Sequence, residues 1–347
     1  MKHLILTVDY ELFFGSDPGT VENCMIRPVR HLMEVLDDYE YKMTVFWDVL
    51  HFYRLKQLED QVDSLRLERE MIEKQIRLLI KNGHDVQMHI HPHWLDARWE
   101  NNRWHFSYMR FSIHKLWDGW ELNNIETIPG CITICKNLIE EICKKENPGY
   151  KVRAIRAGGY RIEPFERLAE ALKHNNIRVD ASAAYGMKSF NPAYPFDFRM
   201  MPPFLHYRFN TSVLKQEHDG FFWEFPKESI KVPVYIRMMF WFLRNMVYPF
   251  KSCYGDGTRL RFTRREQSGH WISELGPRFY RLTPEDMDKY RWSWLVKKSR
   301  RNGMVVLHSK NMGPFTMDML KDSLAKKEIA FHSLADRIKA LKVYDDL

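Results

Sequence analysis

"LEDQVDSLRLEREMIEKQIRLLIKNGHDVQMHIHPHW" (residues 58–94) is the stretch whose reading decides the fold. Leu65, Ile72, Ile76 and Leu79 recur at three-, four- and seven-residue spacing, which predicts a long amphipathic helix over 56–81. Asn82-Gly83 is a helix stop, because both residues tolerate the left-handed backbone that closes a last turn. "HDVQMHI" then reads as a strand, and it runs into a crowd of polar rings: His84, His89, His91 and His93 fall within ten residues. Helices alternating with buried strands are the unit of a parallel sheet. Reactive groups in such sheets collect at the carboxyl ends of the strands.

The same alternation continues on both sides. "HLILTVD" (3–9) and "KMTVFWDV" (42–49) are apolar, β-branched or aromatic runs that read as buried strands, with a helix in "RPVRHLMEVLDDY" (27–39) between them. Downstream come a helix around 131–146, a strand "VRAIRA" (152–157), a helix "EPFERLAEALKHN" (163–175) and a strand "IRVDASA" (177–183). "NGMVVLHS" (302–309) is a further strand, and an amphipathic helix closes the chain. The class is α/β with mostly parallel strands. Residues 184–300 show few periodic elements and many aromatic residues and prolines, so they read as insertions within a single domain, 1–347.

A composition of 45% hydrophobic and 28% charged residues excludes a disordered or fibrous chain. The net charge of +8 is spread along the sequence without a basic stripe, which argues against nucleic acid and leaves anionic glycans, sugar phosphates or a membrane surface as partners. Cys24, Cys131, Cys135, Cys143 and Cys253 are odd in number and lack scaffold spacing, so free thiols are expected. The N-terminal run "MKHLILTVDYE" reads as a strand and not as a leader, which makes the cytoplasm the expected location. "VPVYIRMMFWFLRNMVYPF" (232–250) is interrupted by Arg237 and Arg244 and reads as a buried or interfacial helix rather than a span. Those arginines are seven apart and share a face, as peripheral membrane contact through 232–250 would require.

The polar residues at the strand ends carry the chemistry. His89 and His93 have the i, i+4 spacing of a metal pair, and His89 and His91 the alternative spacing of an HxH strand. The carboxylates that can complete such a set are in "TVDYE". On a strand, residues two apart point the same way, so Asp9 and Glu11 share a side that Tyr10 does not. Two histidines and a carboxylate leave coordination positions open for water, as hydrolysis requires. A surface cluster of histidines ahead of Pro92 is the competing reading.

Five short stretches, in order, resemble the motifs of the polysaccharide deacetylase superfamily, carbohydrate esterase family 4 with its NodB-homology domain. "LTVDYE" is similar to the first motif, "GHDVQMHIHPHW" to the second, "IRAGGY" to the third, "VDASAAYG" to the fourth and "VVLHS" to the fifth. The resemblance spans residues 3 to about 309 and implies a distorted, incomplete (β/α) barrel with insertions. It also implies metal-dependent removal of an N-acyl group, an N-acetyl group above all, from an amino-sugar-containing substrate. The partners it implies are an N-acylated sugar, a sugar nucleotide or a lipid-linked saccharide.

On that resemblance the metal, zinc by preference, is held by His89, His93 and a carboxylate, with His91 as an alternative ligand or a substrate contact. Tyr10 stands where the family has its second aspartate, so the period-two argument makes Glu11 the ligand and Asp9 the base, with the reversed roles as the alternative. Metal-bound water would attack the amide, His308 would protonate the leaving amine, and Arg156 would hold Asp9 ionised. Asp180 completes the catalytic candidates, with turn-capping as its plain alternative. Gly158, Gly159, Tyr160 and Trp94 are the substrate-binding candidates; the glycines let backbone approach the reacting group. Trp94 can equally pack. A metal-dependent amidohydrolase acting on a small non-sugar C–N bond and a non-catalytic glycan-binding relative are the competing functions.

Overall fold

The computed structural model describes residues 1–190, 195–243, 253–260 and 278–344. Its strands are β1 Lys2–Tyr10, β2 Thr44–Asp48, β3 Asp85–Ile90, β4 Arg98–Glu100, β5 Arg103–His105, β6 Ala154–Ala157, β7 Val179–Asp180 and β8 Lys188–Ser189. They continue with β9 Phe196–Asp197, β10 Tyr207–Phe209, β11 Phe222–Glu224, β12 Ser229–Val232, β13 Arg278–Arg281, β14 Met304–His308 and β15 Ile329–His332. β2, β3 and β6 are buried at every residue, so the polar side chains they carry, Asp85, Gln87, His89 and Arg156 among them, are buried inside the fold.

The main sheet has the order β10-β11-β7-β6-β3-β2-β1-β14, with β15 also pairing β1, and all its pairings are parallel except β10 with β11. The sheet curls. The chain leaving β11 reaches β14 through a parallel bridge between Lys227 and Met304, supported by Glu228 N–H donating to Met304 O at 3.0 Å. This is the expected incomplete α/β barrel. Register then lines up the reactive residues at one end: Asp9 lies opposite His308, and His89 lies opposite both Asp48 and Arg156.

Helices cover the outside. The helix Asp63–Lys81 buries Leu65, Ile72, Ile76 and Leu79, each burial contributing about 1.5–3 kcal/mol. It also buries Gln75, whose Oε1 accepts from the Tyr10 hydroxyl at 2.6 Å and whose Nε2 donates to Ile26 O at 2.8 Å. Tyr10 therefore points out of the barrel into the helix layer.

Three expectations are corrected. The stretch 56–81 is the end of one helix, Val49–Leu58, and the whole of another, Asp63–Lys81. Val62 is extended (φ −139°, ψ 103°) between them, and its carbonyl starts the second helix by accepting from Leu65 and Arg66. Both helices bury apolar stripes, so periodicity alone does not reveal the break. The closing segment is a helix Pro314–Ala325, β15 and a second helix Leu334–Ala340, because Lys327 at φ 54° ends the first helix and "IAFH" joins the sheet. Part of 184–300 belongs to the barrel itself, since β10 and β11 extend the main sheet, while β12 and β13 form a separate antiparallel pair.

The helix Val234–Phe242 turns Tyr235, Met238, Trp241 and Phe242 outward. Residues 244–250, with Arg244, lie outside the described residues, as do other parts of 184–300. No described helix is long and apolar enough to cross a membrane. The five cysteines are free thiols, as expected.

Tyr10→Phe keeps the ring in place but leaves the Gln75 oxygen without its donor, in a position closed to water. The expected loss is about 1–3 kcal/mol of unfolding free energy at unchanged m-value, read from urea denaturation. A change within a few tenths would show that this hydrogen bond does not tie the helix to the barrel.

Candidate active site

The carboxyl ends of the strands open into a cavity of about 590 Å³. Asp9 and Glu11 reach it from the end of β1 and the residue after it, His89 and His91 from the end of β3 and the residue after it, and His308 and Lys310 from β14 and the turn after it. Phe14, Phe111, Tyr160, Phe196 and Phe279 supply ring surface.

Glu11, His89 and His91 converge. His89 Nε2 and His91 Nε2 each lie 3.1 Å from Glu11 Oε2 and 3.1 Å from each other. His89 Nδ1 donates to Arg156 O at 2.7 Å, so it is Nε2 that faces the group, and it offers a lone pair there once the ring gives up its second proton to a bound cation. A buried triangle of imidazole nitrogens and a carboxylate oxygen is a donor set for a cation. Three ligands about 2.0–2.1 Å from one tetrahedral ion stand roughly 3.3–3.4 Å apart, close to the spacing found here. These residues fit a divalent ion.

Glu11 Oε1 is engaged separately, by Lys310 Nζ at 2.9 Å, and Lys310 also donates to Leu12 O at 2.8 Å. Burial would raise the Glu11 carboxyl, but Lys310 and the two histidines outweigh it and hold it well below the usual carboxylate range. Burial, then the charge of His89, takes His91 down to about 4. His91 is therefore neutral and able to ligate at neutral pH.

Beside this set stands a second pair. His308 Nε2 is 3.6 Å from Asp9 Oδ2, and the two residues sit opposite each other in the β1–β14 register. Asp9 Oδ1 forms an ion pair with Arg156 Nη1. Burial works against the ionised Asp9, yet the positive charges of Arg156, His89 and His308 keep it well below its ordinary value. Glu285 holds His308 from the other side: its Oε2 is 3.0 Å from Nδ1, and its Oε1 accepts from the His308 backbone N–H. Each ring nitrogen of His308 thus has its own carboxylate neighbour.

Several expected site residues are placed elsewhere. His93 lies outside the converging set, and this corrects the expectation of an i, i+4 pair. His91 continues the strand at φ −126°, ψ 89°, so it keeps step with His89, whereas Pro92 opens a 3-10 turn that carries His93 away. The His93 ring lies among Phe14, Phe106 and Phe111, and neither of its nitrogens has a hydrogen-bond partner among the described residues. Asp180 does not line the cavity: it accepts from Ser182 Oγ at 2.5 Å and Ser182 N–H at 3.2 Å, which is the turn-capping alternative. Trp94 is fully buried and donates to Asp48 Oδ2 at 2.8 Å, so it packs.

The glycines divide. Gly159 (φ 60°) and Tyr160 line the cavity, whereas Gly158 is buried against the metal set. A Cβ on Gly158 would stand 2.6 Å from the His91 ring and from Ile90 O. Gly158 serves the close approach of His91 and not that of a substrate.

Glu285, Lys310, Lys227 and Arg281 are site residues that sequence reasoning misses. Lys310 follows His308 by two, the spacing that unites Asp9 with Glu11, so its signal is present in the sequence. Glu285, Lys227 and Arg281 arrive from irregular or long-range segments that carry no local signal.

No family model matches the sequence, and no curated protein matches it. Among solved structures, the chain is similar to a family 4 acetyl xylan esterase from Clostridium thermocellum in complex with a cobalt ion (11% identity, 98% of this chain and 91% of that one, TM-score 0.39). It is also similar to a protein from Mycobacterium smegmatis assigned as a polysaccharide deacetylase (14%, 98% and 91%, TM-score 0.44). A third similar structure is a 4-alpha-glucanotransferase from Thermococcus litoralis (10%, 97% and 40%, TM-score 0.44). At these scores the similarity carries no chemistry to this chain.

Two measurements check the site. After loading with Zn²⁺ and desalting, the native protein should retain about one equivalent by elemental analysis, as should His93→Ala. Glu11→Gln, His89→Ala and His91→Ala should lose it; retention in His91→Ala with loss in His93→Ala would reverse the assignment.

The second concerns Arg156. A carboxyl with a lowered folded-state pKa stabilises the fold above its unfolded value of about 4, and that contribution is lost as pH falls through the folded value. Arg156→Met should therefore cost about 3–5 kcal/mol at pH 7, where buried Asp9 loses its main counter-charge. The cost should be smaller at pH 3, because Asp9 in the variant can be protonated. Equal losses at both pH values would show that the ion pair is not their source.

Proposed function

We propose that the protein is a metal-dependent hydrolase that removes an N-acyl group, foremost N-acetyl, from an amino-sugar-containing substrate. One observation carries this reading: an Asp9–His308 pair, each member backed by its own buried partner, stands beside the Glu11–His89–His91 donor set in one cavity. A divalent ion bound by that set, with zinc the first choice, supplies Lewis acidity that activates a water and polarises a carbonyl.

The chain's own residues supply the proton transfers. Arg156 occupies Asp9 Oδ1 and keeps the carboxylate ionised, which leaves Oδ2 free to take a proton from the attacking water. His308, aligned by Glu285 through Nδ1, presents Nε2 to the cavity and delivers a proton to the departing nitrogen. The new C–O bond forms first, the C–N bond then breaks as the nitrogen takes its proton from His308, and the products are a carboxylate and a free amine. An amide requires this acid, because an amide anion is a very poor leaving group. The ring-lined cavity has the size of a small saccharide or sugar nucleotide site and the rings to stack on it. The outward apolar residues of Val234–Phe242 suit peripheral contact with a membrane that presents a lipid-linked saccharide.

Acetate release from a panel of N-acetylated sugars tests the reading. Asp9→Asn and His308→Ala should each lower kcat by about a hundredfold or more, the scale of general acid–base contributions, while metal content stays at the native level. Glu285→Gln should lower kcat less and alter the pH–rate profile, as expected of a positioning residue. Native turnover in both Asp9→Asn and His308→Ala would overturn the mechanism.

A further inference from the structure

Two cations outside the donor set, Lys227 and Arg281, line the same cavity. Lys227 sits at the barrel seam, where it bridges to Met304, and only 3% of it is exposed. Its Nζ donates to Ser182 O at 3.0 Å and lies 3.8 Å from the centre of the Tyr160 ring. At the other end of that ring, Arg281 Nη1 from β13 donates to Tyr160 Oη at 3.0 Å. Two cations therefore grip one phenol, one over its face and one at its hydroxyl.

Tyr160 has φ 64°, a conformation an aromatic residue rarely adopts, and Phe196 stacks on its ring at 4.7 Å. The side chain is held in the cavity from several directions. Lys227, Tyr160 and Arg281 all line the space that Asp9 and His308 line.

The acids of the cavity are already engaged. Asp9 pairs with Arg156, Glu11 with Lys310, Glu285 with His308, and Asp286 with Arg259 at 2.8 Å. Among the described residues, neither Lys227 nor Arg281 has a carboxylate within ion-pair distance. A buried cation with no carboxylate in direct contact is costly, and Lys227 is one; half-buried Arg281 stands on the same ring. Burial, the largest cause, and then the charge of Arg156 press Lys227 down to about 7, against the opposing pull of the Asp9 carboxylate. An arriving anion would satisfy both cations, and the planar guanidinium fork matches the oxygens of a phosphoryl or carboxylate group.

We propose that Lys227, Arg281 and the Tyr160 hydroxyl form an anion subsite that holds a phosphoryl or carboxylate group of the substrate while its acyl-amide lies at Asp9 and His308. The subsite rests on the reading of the cavity as a deacylation site only for what happens next to it; the binding itself is independent of turnover.

Calorimetric titration of the metal-loaded protein at constant ionic strength tests it, with N-acetylglucosamine, N-acetylglucosamine 6-phosphate and N-acetylglucosaminuronic acid as probes. At least one anionic sugar should bind about tenfold or more tightly than the neutral one, and which of them does so identifies the group. Lys227→Met and Arg281→Met should each reduce that preference to about threefold or less without changing affinity for the neutral sugar, and Lys227→Arg should restore it.

Equal binding of the three sugars, or binding of none, overturns the proposal. So does a preference that survives in both methionine variants, because the anion would then lie on the metal or elsewhere. Circular dichroism checks folding, and if Lys227→Met does not fold, Arg281→Met decides by the same criterion. Acetate release measured in parallel separates the two readings. Anion preference without release removes the deacylase function and leaves the subsite, and release without preference does the opposite.

Discussion

Everything in the barrel interior is arranged around one buried guanidinium. Arg156 is fully buried; it pairs with Asp9, donates to Thr7 Oγ1 at 3.1 Å and to Ala181 O at 3.0 Å, and lies 3.8 Å from the centre of the Phe46 ring. Those contacts reach β1, β2 and the segment after β7, so a single side chain ties the middle of the sheet together from inside. Its backbone carbonyl also accepts from His89 and fixes that ring's tautomer. A charge in such a position is tolerated only because every direction around it offers an acceptor or a ring face.

This constraint shapes the site. With Arg156 on one oxygen of Asp9, the carboxylate stays ionised and turns its other oxygen toward His308. Glu11 is divided in the same way, one oxygen for the histidines and the other for Lys310. Glu285 then answers for His308. The pairing is nearly complete around these residues, which makes Lys227 and Arg281, neither in direct contact with a carboxylate among the described residues, stand out. The barrel seam brings Lys227 there, since its backbone bridges to β14 where the sheet almost closes.

The local part of this arrangement is legible in the letters of the chain. Strand periodicity is a property of the backbone itself, so "TVDYE" alone is enough to put Asp9 and Glu11 on one side and Tyr10 on the other; the cavity and the Tyr10–Gln75 hydrogen bond follow that division. The same rule applied to "HIHPH" pairs His89 with His91. The i, i+4 spacing points to His93 instead, because nothing in the letters says whether Pro92 ends the strand before or after the second ligand. Asp180 and Trp94 stand at strand ends with two open readings each. Side chains beyond the strand pattern, Ser182 in its turn and the distant Asp48, settle them.

The sequence by itself therefore determined the alternation of buried strands and helices, the parallel class of the sheet, and which residues of β1 share a face, since all of these follow from side-chain periodicity over a few residues. Tertiary structure alone decided the curl that brings Lys227 to Met304, the arrival of Glu285 behind His308 and the meeting of Arg281 with Tyr160. Those contacts join segments far apart in the chain through irregular stretches. No local pattern records them, because they exist only once the hydrophobic core has closed and buried charges must find partners.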